Sequence, residues 1–158
     1  MGSPLVSIIS VNYHQREVTA ALLRSLSLAD YPQLQVVLVD NESDGKDLEY
    51  YWEIYPGLTY IPSPENLGFA GANNLGIKAA TGDYLFFVNN DTEVGPELIP
   101  HLLSGFDSPG VGAVSPVIRY AEHPDMVQFA GFTLIQPLTG RNQPLREHRC
   151  AGLRPSTP

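Results

Sequence analysis

Three features of the sequence predict an α/β fold, a mostly parallel sheet flanked by helices. Short, β-branched apolar runs alternate with segments of helical periodicity. The runs are continuous rather than alternating, as expected of strands covered on both faces. Polar clusters sit just beyond three of them, and in such sheets crossovers are right-handed and ligands gather at the carboxyl ends of strands.

Each element can be justified in turn. Leu5 to Val11 reads as a strand, and Val18, Ala21, Leu22, Ser25 and Leu26 follow at helical spacing. Tyr31-Pro32 interrupts that pattern, and Leu34 to Val39 forms a second covered strand with Asp40 at its carboxyl end. The polar loop Asn41 to Gly45 leads to Leu48, Tyr51, Trp52 and Tyr55, which share a helical face that Pro56-Gly57 ends. That stripe is expected to face the core rather than stack on a sugar. Leu58 to Ile61 is a third short strand, Gly68 to Ala80 a helix closed by Thr81-Gly82, and Tyr84 to Val88 a fourth strand. Pro96 to Phe106 predicts another helix, Val111 to Ser115 a strand, and Val127 to Ile135 a hairpin around Gly131. From Pro137 the pattern fades into Pro, Arg and Gly. The expectation is one domain over 1–136 and a weakly ordered tail over 137–158.

Composition narrows the function. The 158 residues, 43% of them apolar, suffice for one substantial core. Ile8 to Val11 and Val36 to Val39 fall far short of the roughly 20 residues of a membrane span. The start, Met1-Gly2-Ser3-Pro4, lacks the basic-then-apolar order of a secretory signal. Cys150 is the only cysteine, so no internal disulfide forms, which is compatible with a cytoplasmic setting. A net charge of -8 opposes nonspecific nucleic-acid binding. It leaves room for a nucleotide, because a divalent cation can screen a diphosphate from acidic neighbours.

The polar clusters at strand ends are Asn12 and Tyr13, Asp40 to Ser43, and Asn89 to Asp91. Between the last two lies Asn66 to Gly76, whose Gly68, Gly71 and Gly76 permit close backbone approach to a ligand or to the sheet; packing is the stronger reading for Gly76. No Gly-Lys-Ser or Gly-Lys-Thr follows, so this is not a Walker-type loop. His14, His101, His123 and His148 are scattered without zinc-ligand spacing.

Four segments occur in order: Val6-Ser7-Ile8-Ile9-Ser10-Val11-Asn12-Tyr13, Val37-Leu38-Val39-Asp40-Asn41-Glu42-Ser43-Asp44-Gly45, Asn66-Leu67-Gly68-Phe69-Ala70-Gly71-Ala72-Asn73-Asn74-Leu75-Gly76 and Gly82-Asp83-Tyr84-Leu85-Phe86-Phe87-Val88-Asn89-Asn90-Asp91. Over roughly residues 5 to 136 the chain resembles family 2 glycosyltransferases of the GT-A fold, especially the rhamnosyltransferase-like branch of surface polysaccharide assembly. That resemblance implies an inverting, metal-assisted transferase that takes sugar from a UDP- or dTDP-sugar donor to a saccharide or glycolipid acceptor. It also implies a cytoplasmic setting compatible with peripheral attachment at the inner face of the membrane. Oligomeric state is not legible.

By the same resemblance Asp91 holds Mg or Mn against the donor diphosphate, hard cations favouring oxygen ligands; read alone, Asn89-Asn90-Asp91-Thr92 is equally a turn and helix cap. Asn89 stands where the first acid of the family's Asp-x-Asp-type motif is usual, and an amide there can orient ribose or a metal-bound water, with Asn90 beside it. Asp40 is implied to accept from the base or ribose, against a loop-capping alternative. Tyr13 would flank the base, or else serve as a core-edge aromatic. Ser43, Asn66, Gly68 and Asn73 are expected along the donor wall and Gln128 near the donor sugar. The general base, in the resembling family an acid often set in a Glu-Asp motif, is expected beyond the matched region; Glu147, among Arg146, His148 and Arg149, does not look like that motif. Two other classes compete: a noncatalytic nucleotide-binding or assembly module, and a sugar nucleotidyltransferase. The latter ordinarily needs a basic, glycine-rich loop that Asn12 to Glu17 does not supply.

Overall fold

The computed structural model describes residues 2–133, 136, 138–139 and 141–145. Cys150, Glu147 and most of the predicted tail lie outside them. The chain divides into two compact units, residues 1–100 and 101–158.

The first unit is the predicted sheet. Its strands are β1 (Val6–Asn12), β2 (Leu34–Asn41), β3 (Thr59–Ser63) and β4 (Tyr84–Phe87), separated by α1 (Arg16–Ser27), α2 (Leu48–Ile54) and α3 (Gly68–Ala79). All pair in parallel in the order β3-β2-β1-β4. Ile8, Ile9 and Val36 to Val39 are buried, which explains the unbroken apolar runs. Pro62 is tolerated because β3 is an edge strand, where a missing N–H breaks no inner ladder.

Strand alternation sends neighbouring residues to opposite faces. Asn12 and Asp40, directly paired in register, face α1, whereas Ile9 and Val39 face α3. Gly76 of α3 lies so close that a Cβ would stand 2.6 Å from Ile9 Cγ2. Alanine would gain about 1 kcal/mol of helix propensity, but Ile9 is fully buried and cannot yield freely, and overpacking costs about 1–3 kcal/mol. Gly76→Ala is therefore expected to lower stability by about 1–2 kcal/mol, and a urea unfolding midpoint that rises would refute this account.

Two helix faces differ from expectation. On α1 the buried residues are Thr19, Ala20, Leu22, Leu23 and Leu26, while Val18 is 40% exposed. The stripe is rotated because Thr19, a polar residue that apolar periodicity ignores, is drawn inward by a hydrogen bond to Asn12. On α2 Tyr51 is fully buried, but Trp52 is half exposed, its indole N–H donating to the Leu58 carbonyl at 3.0 Å. Trp52 is thus not part of a core stripe.

The second unit departs further. The helix is shorter than expected, α4 (Leu98–Ser104), tightening into a 3₁₀ turn at Gly105–Asp107. Val111 to Ser115 is not a strand: the segment has no ladder partner among the described residues, and an apolar run needs one to become β-structure. Instead β5 (Ile118–Arg119) pairs antiparallel with β6 (Val127–Phe129). Gly131 has a φ of +102° but is no hairpin tip. Ala130, Gly131, Thr133 and Gln136 bond instead with Arg141, Gln143 and Leu145, including Thr133 N–H to Gln143 at 2.9 Å and Leu145 N–H to Gly131 at 2.7 Å. Leu134 and Ile135, the end of the predicted hairpin, lie outside the described residues. No helix among the described residues is long and apolar enough to cross a membrane.

Candidate functional site

In the sheet order β3-β2-β1-β4 the chain turns back between β1 and β4, the switch point where a crevice opens at the carboxyl ends of strands. A cleft of about 470 Å³ lies at these ends, lined by Val11, Tyr13, Gln15, Asn41, Asn66, Gly68, Phe69, Asn89, Asn90 and Asp91. Tyr13, Asn66, Gly68, Asn89, Asn90 and Asp91 thus line one cleft. Tyr13 is 46% exposed and packs its ring against His14 at 4.4 Å. The Asp91 carboxylate is exposed and makes no hydrogen bond or ion pair with another described residue. It is the single charge on this wall.

Asp40 and Ser43 are placed differently. They line a neighbouring cleft of about 590 Å³ with Asn12, His14, Arg16, Glu42, Asp44, Asp47 and Pro64. Asp40 is 2% exposed and both its oxygens are engaged: Oδ1 accepts from Asn12 Nδ2 at 2.7 Å, and Oδ2 accepts from the Tyr60 hydroxyl. Burial, reinforced by the hydrogen bond to Asp40, pushes the Tyr60 phenol well above the ordinary tyrosine range, so it stays a neutral donor. Ser43 lies 3.3 Å from that phenol and accepts from Gly45 N–H at 3.2 Å, closing the turn after β2. Four carboxylates, Asp40, Glu42, Asp44 and Asp47, face this second cleft. Its guanidinium is engaged, Arg16 lying 3.4 Å from Asp47 and stacked over Tyr50, and the His14 ring lies 3.5 Å from Glu42. A diphosphate would meet repulsion there, whereas the first cleft presents one carboxylate that a single dication would offset.

Asn73 lines neither cleft; it is buried and its amide donates to the Phe69 carbonyl at 2.8 Å within α3. Gln128 is exposed on β6 in the second unit. The residue overlooked in the sequence is Asn41. Next to Asp40 on β2, it must point to the opposite face, and there its Nδ2 donates to Asn66 at 2.8 Å while its Oδ1 accepts from Leu67 N–H at 2.9 Å. Asn66 Oδ1 also accepts from Gly68 N–H at 2.9 Å, and Gly68, with a φ of +65°, takes a turn that other residues adopt only under strain. Strand alternation alone would have singled out Asn41. Gln15 and Phe69 carried no comparable signal, since they reach the cleft from loop and helix start.

Among the described residues there is no group of three or more His, Cys, Asp or Glu able to enclose a metal. One free carboxylate beside the Asn89 amide suits a hard cation that takes its other oxygens from phosphate and water, the habit of Mg and Mn at diphosphate sites. The donor set fits such an ion.

Comparison with known proteins agrees with this fold. A model of the family described as Glycosyl transferase family 2 matches residues 7–152. The O-antigen biosynthesis protein RfbC of Myxococcus xanthus is 33% identical over 135 residues, covering 82% of this chain and 10% of that protein. N-acetylglucosaminyl-diphospho-decaprenol L-rhamnosyltransferase of Mycobacterium tuberculosis is 27% identical over 173 aligned positions, covering 96% of this chain and 56% of that protein. Among solved structures, mannosyltransferase PcManGT from Pyrobaculum calidifontis in complex with GDP-Man and Mn2+ superimposes with a TM-score of 0.68 and 26% identity, over 76% of this chain and 37% of that one. The chain therefore spans between a tenth and just over half of the relatives named here.

Proposed function

This chain belongs to glycosyl transferase family 2, and from that premise we propose that the cleft at the β1–β4 switch point holds the nucleotide-diphosphate sugar donor of an inverting transfer to a saccharide or glycolipid. The observation that carries the proposal is the unpartnered Asp91 carboxylate sharing one cleft with Tyr13, Asn41 and Asn66. Tyr13 offers a flat, half-exposed ring for the base. Asn41, buried and with both amide atoms engaged, holds Asn66 in place, and the exposed Asn66 turns its Nδ2 to the polar groups of the base. Asn89 orients ribose or a metal-bound water, and Asp91 holds Mg or Mn. That ion, when bound, neutralises charge on the departing diphosphate. PcManGT, solved with GDP-Man and Mn2+, supports this use of the cleft.

In the same proposal Asp40, Ser43 and Asn73 shape the site without touching the donor, since Asp40 and Ser43 line the other cleft and Asn73 lines neither. We assign no general base among the described residues. A glycolipid acceptor would bring the protein to the inner face of the membrane, as fits the likeness to a rhamnosyltransferase whose name specifies a diphospho-decaprenol substrate.

Calorimetric titration with UDP, dTDP and GDP, each with and without Mn, tests the proposal. One of the three is expected to bind at least about tenfold more tightly with the metal, since the dication bridges like charges. Equal affinity with and without Mn for all three would defeat it. Product analysis with a candidate acceptor then separates a transferase from a donor-binding module.

A further inference from the structure

Asn90 sits between the two residues assigned to the donor, yet its amide points toward α1. Nδ2 donates to Gln15 Oε1 and to Thr19 Oγ1, both at 3.1 Å. Thr19 is fully buried, and its hydroxyl donates in turn to Asn12 Oδ1 at 2.8 Å. Asn12 Nδ2 donates to Asp40 Oδ1 at 2.7 Å, and Tyr60 closes the far side of that carboxylate. Every donor from Asn90 onward therefore points toward one buried anion. A hydroxyl has a single proton. Because Thr19 gives its proton to Asn12, it can only accept from Asn90, so position 90 requires a donor and a carboxylate there would face lone pairs. Such directed chains strengthen one another away from water.

We propose that Thr19 and Asn90 form a latch that fixes the Asn89–Asp91 loop against the ends of β1 and β2, making Thr19 a positioning residue for Asp91 although it reaches no cleft itself. Asn90 then serves the donor site through Thr19, not as a donor ligand. The consequence for metal binding rests on the reading of Asp91 given above; the latch itself does not.

Hydrogen exchange and Mn titration, the latter with whichever of UDP, dTDP or GDP binds, test this on Thr19→Val, Thr19→Ser, Asn90→Ala and the Thr19→Val/Asn90→Ala double variant. The Thr92 amide, bonded to the Asn89 carbonyl at 3.2 Å, reports the loop. Thr19→Val is expected to speed its exchange and weaken Mn-dependent binding by about tenfold, the size of one net hydrogen bond, and Asn90→Ala, which also releases Gln15, by at least as much. The double variant should show about the same loss as Asn90→Ala alone, because both changes open the Thr19–Asn90 contact. Thr19→Ser should behave as the unaltered protein. Should Thr19→Val fold poorly, Gln15→Ala, which removes the exposed half of the latch, is expected to shift both readouts in the same direction by about threefold. Unchanged exchange in Thr19→Val or, where that variant folds poorly, in Gln15→Ala overturns the latch, as do losses that multiply to about a hundredfold in the double variant. Faster exchange with unaltered Mn affinity overturns the positioning role. Metal-dependent binding that survives Asp91→Ala while exchange still quickens in Thr19→Val leaves the latch standing and moves the metal elsewhere.

Discussion

Asp91→Ala is expected to lower Mn-dependent affinity for the nucleotide diphosphate by about a hundredfold or more, since losing even an outer-shell partner of a bound metal typically costs about 10–100-fold. No other carboxylate on the wall of this cleft can take over. Asp91→Asn, similar in shape but uncharged, should lose most of the same affinity. Because Asp91 is exposed and without partners among the described residues, its removal should leave unfolding free energy within about 0.5 kcal/mol of the original. Calorimetry with and without Mn, paired with urea unfolding, separates the two effects. Metal-dependent binding that persists undiminished would remove Asp91 from the site.

The opposite pattern is expected at Asp40. Replacing it by alanine strands the buried Asn12 amide, at about 1–3 kcal/mol for a donor left without an acceptor, and takes from the half-buried Tyr60 phenol its bond to a charged group, leaving it only Ser43 at 3.3 Å. Asp40→Ala should therefore lose about 2–5 kcal/mol, a large part of the roughly 5–15 kcal/mol that holds a typical domain folded. Asp40→Asn keeps one acceptor oxygen and should lose less. Donor affinity measured well below the unfolding transition should fall far less than in Asp91→Ala. A stable Asp40→Ala that has lost nucleotide binding would instead return Asp40 to direct contact with the base.

These contrasting expectations for two acids at strand ends show where sequence reading reached its limit. Both stand just past an apolar run, and both invite the same inference. The alternation of strand faces, legible in principle, turns Asp40 inward and Asn41 toward the cleft. What alternation could not supply is that Asn12 and Tyr60, from two different strands, would converge on Asp40 and occupy its oxygens, with Thr19 of α1 holding Asn12 in place. Likewise Gly76 was readable as a packing glycine, but the atom it makes room for, Ile9 Cγ2, was not.

By itself the sequence determined the four parallel strands, the helices between them and the ends at which polar residues gather, because period and punctuation are local properties of the chain. It also carried the ordered motifs that led to the family. Only the tertiary structure decided that Tyr13, Asn41, Asn66 and Asp91 share one cleft while Asp40 and Ser43 border another, and that Val111 to Ser115 pairs with nothing among the described residues. Those outcomes depend on which distant groups meet across the sheet, and a hydrogen bond or ladder exists only when both of its partners arrive.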